Sequence, residues 1–134
     1  MLLKNGASIE EPGYYGRTPF MIAALANNIE KMNLLLNKGA NINATDKEGK
    51  TALHIASFTN PKLIKQLIDA GADLNLKDKD GNTAMHLAAS WGRLDSIKIL
   101  LENKININAI NNDGYTPLGL ALFYMQLVIN IQKV

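Results

Sequence analysis

The chain has 134 residues and a mass of 14.7 kDa, enough for one domain that buries roughly 68% of its unfolded surface without covalent staples. Hydrophobic residues make up 47% and charged residues 19%, which excludes disorder and collagen-like repetition. Fourteen basic against twelve acidic side chains leave a charge of +2, too little for the electrostatic footprint of a nucleic-acid binder. No cysteine is present, so disulfides, thiolate metal sites and a cysteine nucleophile are excluded and a reducing, cytoplasmic setting is expected. Residues 1–6 lack the apolar core of a signal peptide, and the apolar-rich stretch 118–131 is interrupted by Gln126 and Asn130. No membrane insertion is expected.

Four threonines, Thr18, Thr51, Thr83 and Thr116, recur at spacings of 33, 32 and 33 residues, each two places after a glycine (Gly16, Gly49, Gly81, Gly114). A second series, Gly6, Gly39 and Gly71, keeps the same period and meets Lys104 in its fourth place. This is a tandem array. Its first piece, residues 2–7, reads as the tail of a helix that has no first helix before it, so a partial repeat (1–12) opens the chain and a longer array is expected. Repeats of about 13–45, 46–77, 78–110 and 111–134 follow within one domain.

Within each unit the order of signals is the same. Asp46, Asp78 and Asn111 stand three places before Gly49, Gly81 and Gly114, the signature of a type I turn. The threonine then suits a helix N-cap, and Pro19 and Pro117 fall where a helix accepts proline. An alanine-rich first helix is predicted over 19–26, 52–59, 84–91 and from 117 onward. Breaks fall at Asn27-Asn28, Asn60-Pro61 and Gly92-Arg93, and second helices are predicted over 29–37, 62–69 and 94–102 from apolar residues at three-to-four spacing. The second unit lacks one residue near Pro61, and residues 125–134 do not repeat the Leu-Leu stripe. Glycine after each second helix suits a left-handed cap, so Lys104 is predicted either to take positive φ or to reroute the chain. The polar–apolar alternation of 41–44, 73–76 and 106–109 suggests short extended segments.

Turn, helix pair and the strings Thr51-Ala52-Leu53-His54 and Thr83-Ala84-Met85-His86 together resemble ankyrin repeats, over nearly the whole chain from Leu2 to about Tyr124. Met21 and Gly119 replace the motif histidine in the outer units. The resemblance implies an all-α fold, an ankyrin-repeat solenoid of helix-turn-helix units joined by β-hairpin-like finger loops. It also implies that His54 and His86 brace the start of each first helix against neighbouring backbone and the threonine.

Residues with catalytic or ligand-binding potential fall in the same register. The string from Ala44 to Thr51 has phosphate-loop spacing, but Asp46 and Glu48 would place negative charge in the cradle. Its Gly-x-Thr part recurs at Gly16, Gly81 and Gly114 without a following lysine, so it reads as a repeat turn. His54 and His86 have no recurring third ligand for a metal. No nucleophile with its base and orienting group, and no apolar carboxylate pair, stands out. The expectation is therefore no enzyme, no cofactor and no metal.

Surface remains. The resemblance implies a concave face formed by the fingers and the far ends of the first helices. The positions it assigns to a partner are Tyr14, Tyr15 and Arg17; Lys47, Glu48, Lys50 and Phe58; Lys79, Asp80, Asn82 and Trp91; and Asn112, Tyr115, Phe123 and Tyr124. Leu25, Ala26, Thr59, Ser90 and Asp113 lie beside them. Seven of the eight aromatics fall at these places, and aromatics dominate interface hot spots. Phe58, Trp91 and Tyr124 are expected to be exposed neighbours. The function expected is a monomeric protein-interaction module for a protein or peptide segment, with no nucleic-acid partner. Its alternatives are a passive spacer and the recruiting arm of a larger enzyme or bacterial effector. Twelve lysines against two arginines, with sixteen asparagines, suggest a low-GC genome, and an intracellular bacterium or parasite would use such a module in its host's cytosol.

Overall fold

The computed structural model describes residues 9–133; the expected helix tail at 2–7 lies outside the described residues. A short 3-10 turn, Tyr14–Gly16, precedes seven α-helices: α1 (Pro19–Leu25), α2 (Ile29–Asn37), α3 (Ala52–Thr59), α4 (Pro61–Asp69), α5 (Ala84–Ser90), α6 (Leu94–Glu102) and α7 (Pro117–Gln132). No strand occurs among the described residues.

Every first helix begins at its threonine. Thr18, Thr51, Thr83 and Thr116 accept, through Oγ1, the backbone N–H three residues on, at 3.3, 3.3, 3.4 and 3.1 Å. The helices α1, α3, α5 and α7 then stack side by side as one layer, and α2, α4 and α6 back them, each on the first helix of its own unit. Buried alanines (Ala23, Ala24, Ala52, Ala56, Ala84, Ala88) let the first helices approach, while Met32, Leu35, Leu63, Ile64, Leu67 and Leu100 fill the space between layers.

The breaks between paired helices have distinct local causes. Asn27 and Gly92 turn the chain with φ of 54° and 64°, a region open to glycine and tolerated by asparagine. In the shortened second unit, Asn60 caps the end of α3 and the start of α4 at once, and Pro61 opens α4. The fourth unit has Met125 and Gln126 at this place. Neither favours positive φ, and α7 runs on as a single 16-residue helix instead of folding back.

One expected feature is corrected. Segments 41–44, 73–76 and 106–109 are turns, not extended strands. The Asn41 and Asp73 side chains each accept the backbone N–H two residues on (Asn43 and Asn75, 2.9 Å), and Asn106 does the same for Asn108 at 3.0 Å. Asn43 Oδ1 accepts from Asp73 N–H at 2.9 Å and Asn75 Oδ1 from Asn106 N–H at 3.0 Å, so a ladder of amide and carboxylate side chains ties successive units. Asparagine and aspartate form such local turns readily, and their alternation with apolar residues mimics a strand pattern.

Candidate functional site

The three fingers after the first are each closed from within by the side chain of the leading residue. Asp46 Oδ1 accepts from the N–H groups of Glu48 and Lys50, and Asp78 Oδ1 from Asp80 and Asn82, all at 2.9 Å. Asn111 Oδ1 does the same for Asp113 and Tyr115 at 3.0 and 2.9 Å. Single backbone bonds then run from finger to finger: Lys47 N–H to Tyr15 C=O at 2.9 Å, Lys79 N–H to Glu48 C=O at 3.0 Å, and Asn112 N–H to Asp80 C=O at 2.9 Å. The fingers therefore stand in fixed register, with Lys47, Glu48, Lys79, Asp80 and Asn112 exposed along them.

Behind the fingers sit the histidines. His54 Nδ1 accepts the Thr51 N–H at 3.1 Å, and its Nε2 reaches the Asn82 carbonyl at 2.9 Å. His86 repeats the arrangement with Thr83 N–H at 3.1 Å and the Tyr115 carbonyl at 2.8 Å. An Nδ1 that accepts and an Nε2 that faces a carbonyl define the neutral Nε2–H tautomer. Burial pulls both rings below the usual histidine range, against the upward pull of the carbonyl bonds. These histidines join units; they do not face solvent chemistry. Among the described residues no three His, Cys, Asp or Glu side chains gather as a metal site.

The aromatic residues fall into three groups. Tyr14 and Tyr15 meet edge to face at 4.2 Å on the first finger, and the Arg17 guanidinium lies 5.6 Å from the Tyr15 ring centre. Phe58 and Trp91 stack at 5.9 Å across the gap between α3 and α5. Tyr115, Phe123 and Tyr124 form a chain with separations of 5.4 and 5.5 Å. Trp91 is 60% exposed, and Phe123 and Tyr124 are exposed as well. Phe58 departs from expectation: it is half-buried and packs on the core, its own carbonyl taking the Arg93 Nε–H at 3.1 Å. The ring stacked on Trp91 is thus supported from below. No ring contact among the described residues links Trp91 to Tyr124, but both line one groove.

Four polar positions assigned to a partner, Glu48, Lys50, Asn82 and Asn112, are engaged within the array. The Lys50 side chain is only 16% exposed; its Nζ lies 2.6 Å from Glu48 Oε2 and 3.7 Å from the buried Asp78 carboxylate. Burial lowers Lys50's affinity for its proton, but the Glu48 hydrogen bond and the Asp78 charge more than restore it, and the same bond holds Glu48 below the usual carboxylate range. Asn82 accepts from Asn111 Nδ2 at 3.0 Å, and Asn112 Nδ2 donates to the Lys79 carbonyl at 2.8 Å. Tyr115 is half-buried beneath the His86 contact.

Sequence reasoning missed the groove itself. Because α7 does not fold back, an open trough of about 780 Å³ runs between α6 and α7, floored by Met85 and Ala89 and walled by Leu94, Leu101, Tyr124 and Val128. The signal was present as the absence of glycine or asparagine at 125–126 and of any charge between Asp113 and Lys133.

Two overlapping stretches, 1–78 and 56–130, match the family model "Ankyrin repeats (3 copies)". The chain belongs to the ankyrin-repeat family, whose repeats are in general non-catalytic protein–protein interaction modules. It is 36% identical over 135 residues to an ankyrin repeat protein of fowlpox virus (strain NVSL), a match covering 98% of this chain and 30% of the viral protein. It is 35% identical over 131 residues to the neurogenic locus Notch protein of Drosophila melanogaster, covering 84% of this chain and 5% of that protein. Inversin of Canis lupus familiaris is 38% identical over 57 residues, covering 42% of this chain and 5% of inversin. The chain therefore spans less than a third of the length of each of these relatives. Among the described residues, no helix is long and apolar enough to cross a membrane.

Proposed function

We propose that this chain holds a protein or peptide segment on its concave face, between the finger loops and the far ends of the first helices, without turnover or cofactor. The supporting observation is Trp91. A large, mostly exposed indole at the C-terminal end of α5 is stacked on a supported phenylalanine, in an array whose fingers are held in register by backbone bonds. A pre-positioned aromatic with little entropy left to lose is the usual hot-spot anchor. Along successive fingers Lys47, Glu48, Lys79 and Asp80 alternate in sign, which would select a partner of complementary pattern. A cytoplasmic setting belongs to the same proposal, since the fold uses no disulfide.

The test is affinity capture with the folded domain, identification of what is retained by mass spectrometry, and a binding isotherm for that partner against wild type and Trp91→Ala. The substitution is expected to weaken binding by at least about 2 kcal/mol, roughly 30-fold, with the melting temperature unchanged. A sharp fall in melting temperature with capture intact would mean that the indole fills a seam between units.

A further inference from the structure

We infer that the first finger holds a phosphate-binding subsite of the concave face, in which Arg17 and Lys47 take a phosphorylated side chain of the bound segment. The inference rests on the concave-face reading and names the chemistry recognised at one end of it.

The first finger departs from the other three at two places. Asp46, Asp78 and Asn111 lead the later fingers with a side chain that closes the turn, and Gly13 stands in their place in the first. The second departure is at the residue before the threonine. In the second finger this is Lys50, whose ammonium lies 2.6 Å from Glu48 and 3.7 Å from Asp78. In the first it is Arg17, and Tyr15 takes the place of Glu48. The cation therefore meets a ring centre at 5.6 Å and no carboxylate. Among the described residues the Arg17 guanidinium makes no ion pair and no side-chain hydrogen bond. Its Nε is buried without a partner, while its two Nη nitrogens stay open to solvent. A half-buried guanidinium beside a ring is poorly hydrated, which strengthens its pull on an anion.

A second cation stands beside it. Lys47 donates its backbone N–H to the Tyr15 carbonyl at 2.9 Å, and a Cβ on Gly16 would come within 2.9 Å of Lys47 Cγ. The lysine stem thus lies on the first finger, and its exposed ammonium has no ion pair among the described residues. Glu48 is close enough to feel the Arg17 charge, but its carboxylate is already hydrogen-bonded to Lys50. The backbone is unusual here too. Tyr15 is held at φ 58°, and no residue with a Cβ in the later fingers enters the left-handed region. Strain of this kind persists where its surroundings fix it, commonly at binding sites.

Charge selects the ligand. A phosphomonoester carries about −1.5 to −2 charge at neutral pH and three acceptor oxygens, which matches two unpaired cations. A carboxylate would leave one of them unanswered. The planar fork of arginine suits two phosphate oxygens, and lysine serves as a point charge beside them. The rings of Tyr14 and Tyr15, both exposed, give the side chain that carries the phosphate an apolar wall.

The test is an amide NMR titration of the isotope-labelled full chain with a short phosphoserine peptide, its serine and glutamate counterparts, inorganic phosphate and oligothymidylate. The phosphopeptide is expected to shift the amides of Tyr15, Gly16, Arg17 and Lys47 saturably. It should bind at least about ten-fold more tightly than the serine or glutamate peptide, and more tightly than inorganic phosphate, which cannot use the tyrosine wall. Arg17→Gln and Lys47→Gln are each expected to weaken it at least about ten-fold, and Lys79→Gln on the third finger not at all. Lys47 is exposed, so its variant tests the subsite even if Arg17→Gln loses its helical circular dichroism. Absence of a saturable shift at the first finger would overturn the inference, as would binding indifferent to Lys47→Gln. Equal affinity for the glutamate peptide, inorganic phosphate or oligothymidylate would overturn it as well. A flat titration beside a captured partner that Trp91→Ala weakens rejects the phosphate subsite alone and leaves the concave-face reading in place.

Discussion

Lys104→Gly should stabilise the protein. Three second helices end in the same way: the residue after the C-cap takes positive φ, and the next N–H reaches back over the helix end. Gly39 and Gly71 do this at φ of 90° and 98°, and Ala40 N–H to Leu35 C=O and Ala72 N–H to Leu67 C=O both measure 3.0 Å. At the end of α6 the lysine itself is held at φ 60°, and the equivalent bond, Ile105 N–H to Leu100 C=O, is stretched to 3.4 Å. The left-handed region costs a residue with a Cβ about 1–2 kcal/mol, while glycine's greater freedom in the unfolded chain offsets roughly 0.5–1 kcal/mol of the relief. The net gain is about 0.5–1 kcal/mol, a rise of roughly 2–4 °C in melting temperature for a chain of this size. Thermal and urea unfolding of wild type, Lys104→Gly and Lys104→Ala would measure it. Alanine keeps the Cβ and removes the charge, so it should gain nothing. If glycine is no more stable than wild type, or if alanine matches glycine, backbone strain is not what limits this helix end.

Gly81→Ala should destabilise far more than Gly114→Ala. A Cβ on Gly81 would sit 2.5 Å from Asn112 Oδ1 and 2.7 Å from Asn112 N, whereas one on Gly114 meets nothing within 4 Å. Only the cost of positive φ, about 1 kcal/mol, should appear at Gly114, with at least about twice that at Gly81, by urea titration. Stability should also fall in acid. Both histidines hold their folded pKa below the ordinary 6.5, so below that pH the unfolded chain binds protons that the folded one does not. Their contribution is full above about pH 6.5 and declines as the pH falls toward the folded values. Melting temperature followed from pH 8 to 5 should show that decline, and His54→Gln/His86→Gln should flatten it.

The histidine braces came from the resemblance to ankyrin repeats, whereas the period, the threonine caps, the finger turns and the choice at Lys104 between positive φ and a rerouted chain were legible in the residues. Each is a short-range signal: a side-chain oxygen within three residues of the N–H it caps, or a backbone angle that glycine accepts and lysine resists. Repetition at 32–33 residues then let every weak signal be checked against its copies. What lay beyond the sequence depends on what a neighbouring unit places about 30 residues away. Phe58 reads as an exposed helix-end aromatic, but Arg93 reaches across to its carbonyl and Trp91 covers its face. Lys50 reads as a free finger lysine until Asp78 of the next finger stands behind it. The alternation at 41–44 reads as a strand until the Asn43 amide meets the next unit's backbone at Asp73. The fate of the fourth unit needed both levels. A missing glycine or asparagine at 125–126 permits a continuous helix, but that this opens an uncharged trough is decided by where α5 ends and how α6 lies beside it, which is a property of packing and not of any local residue.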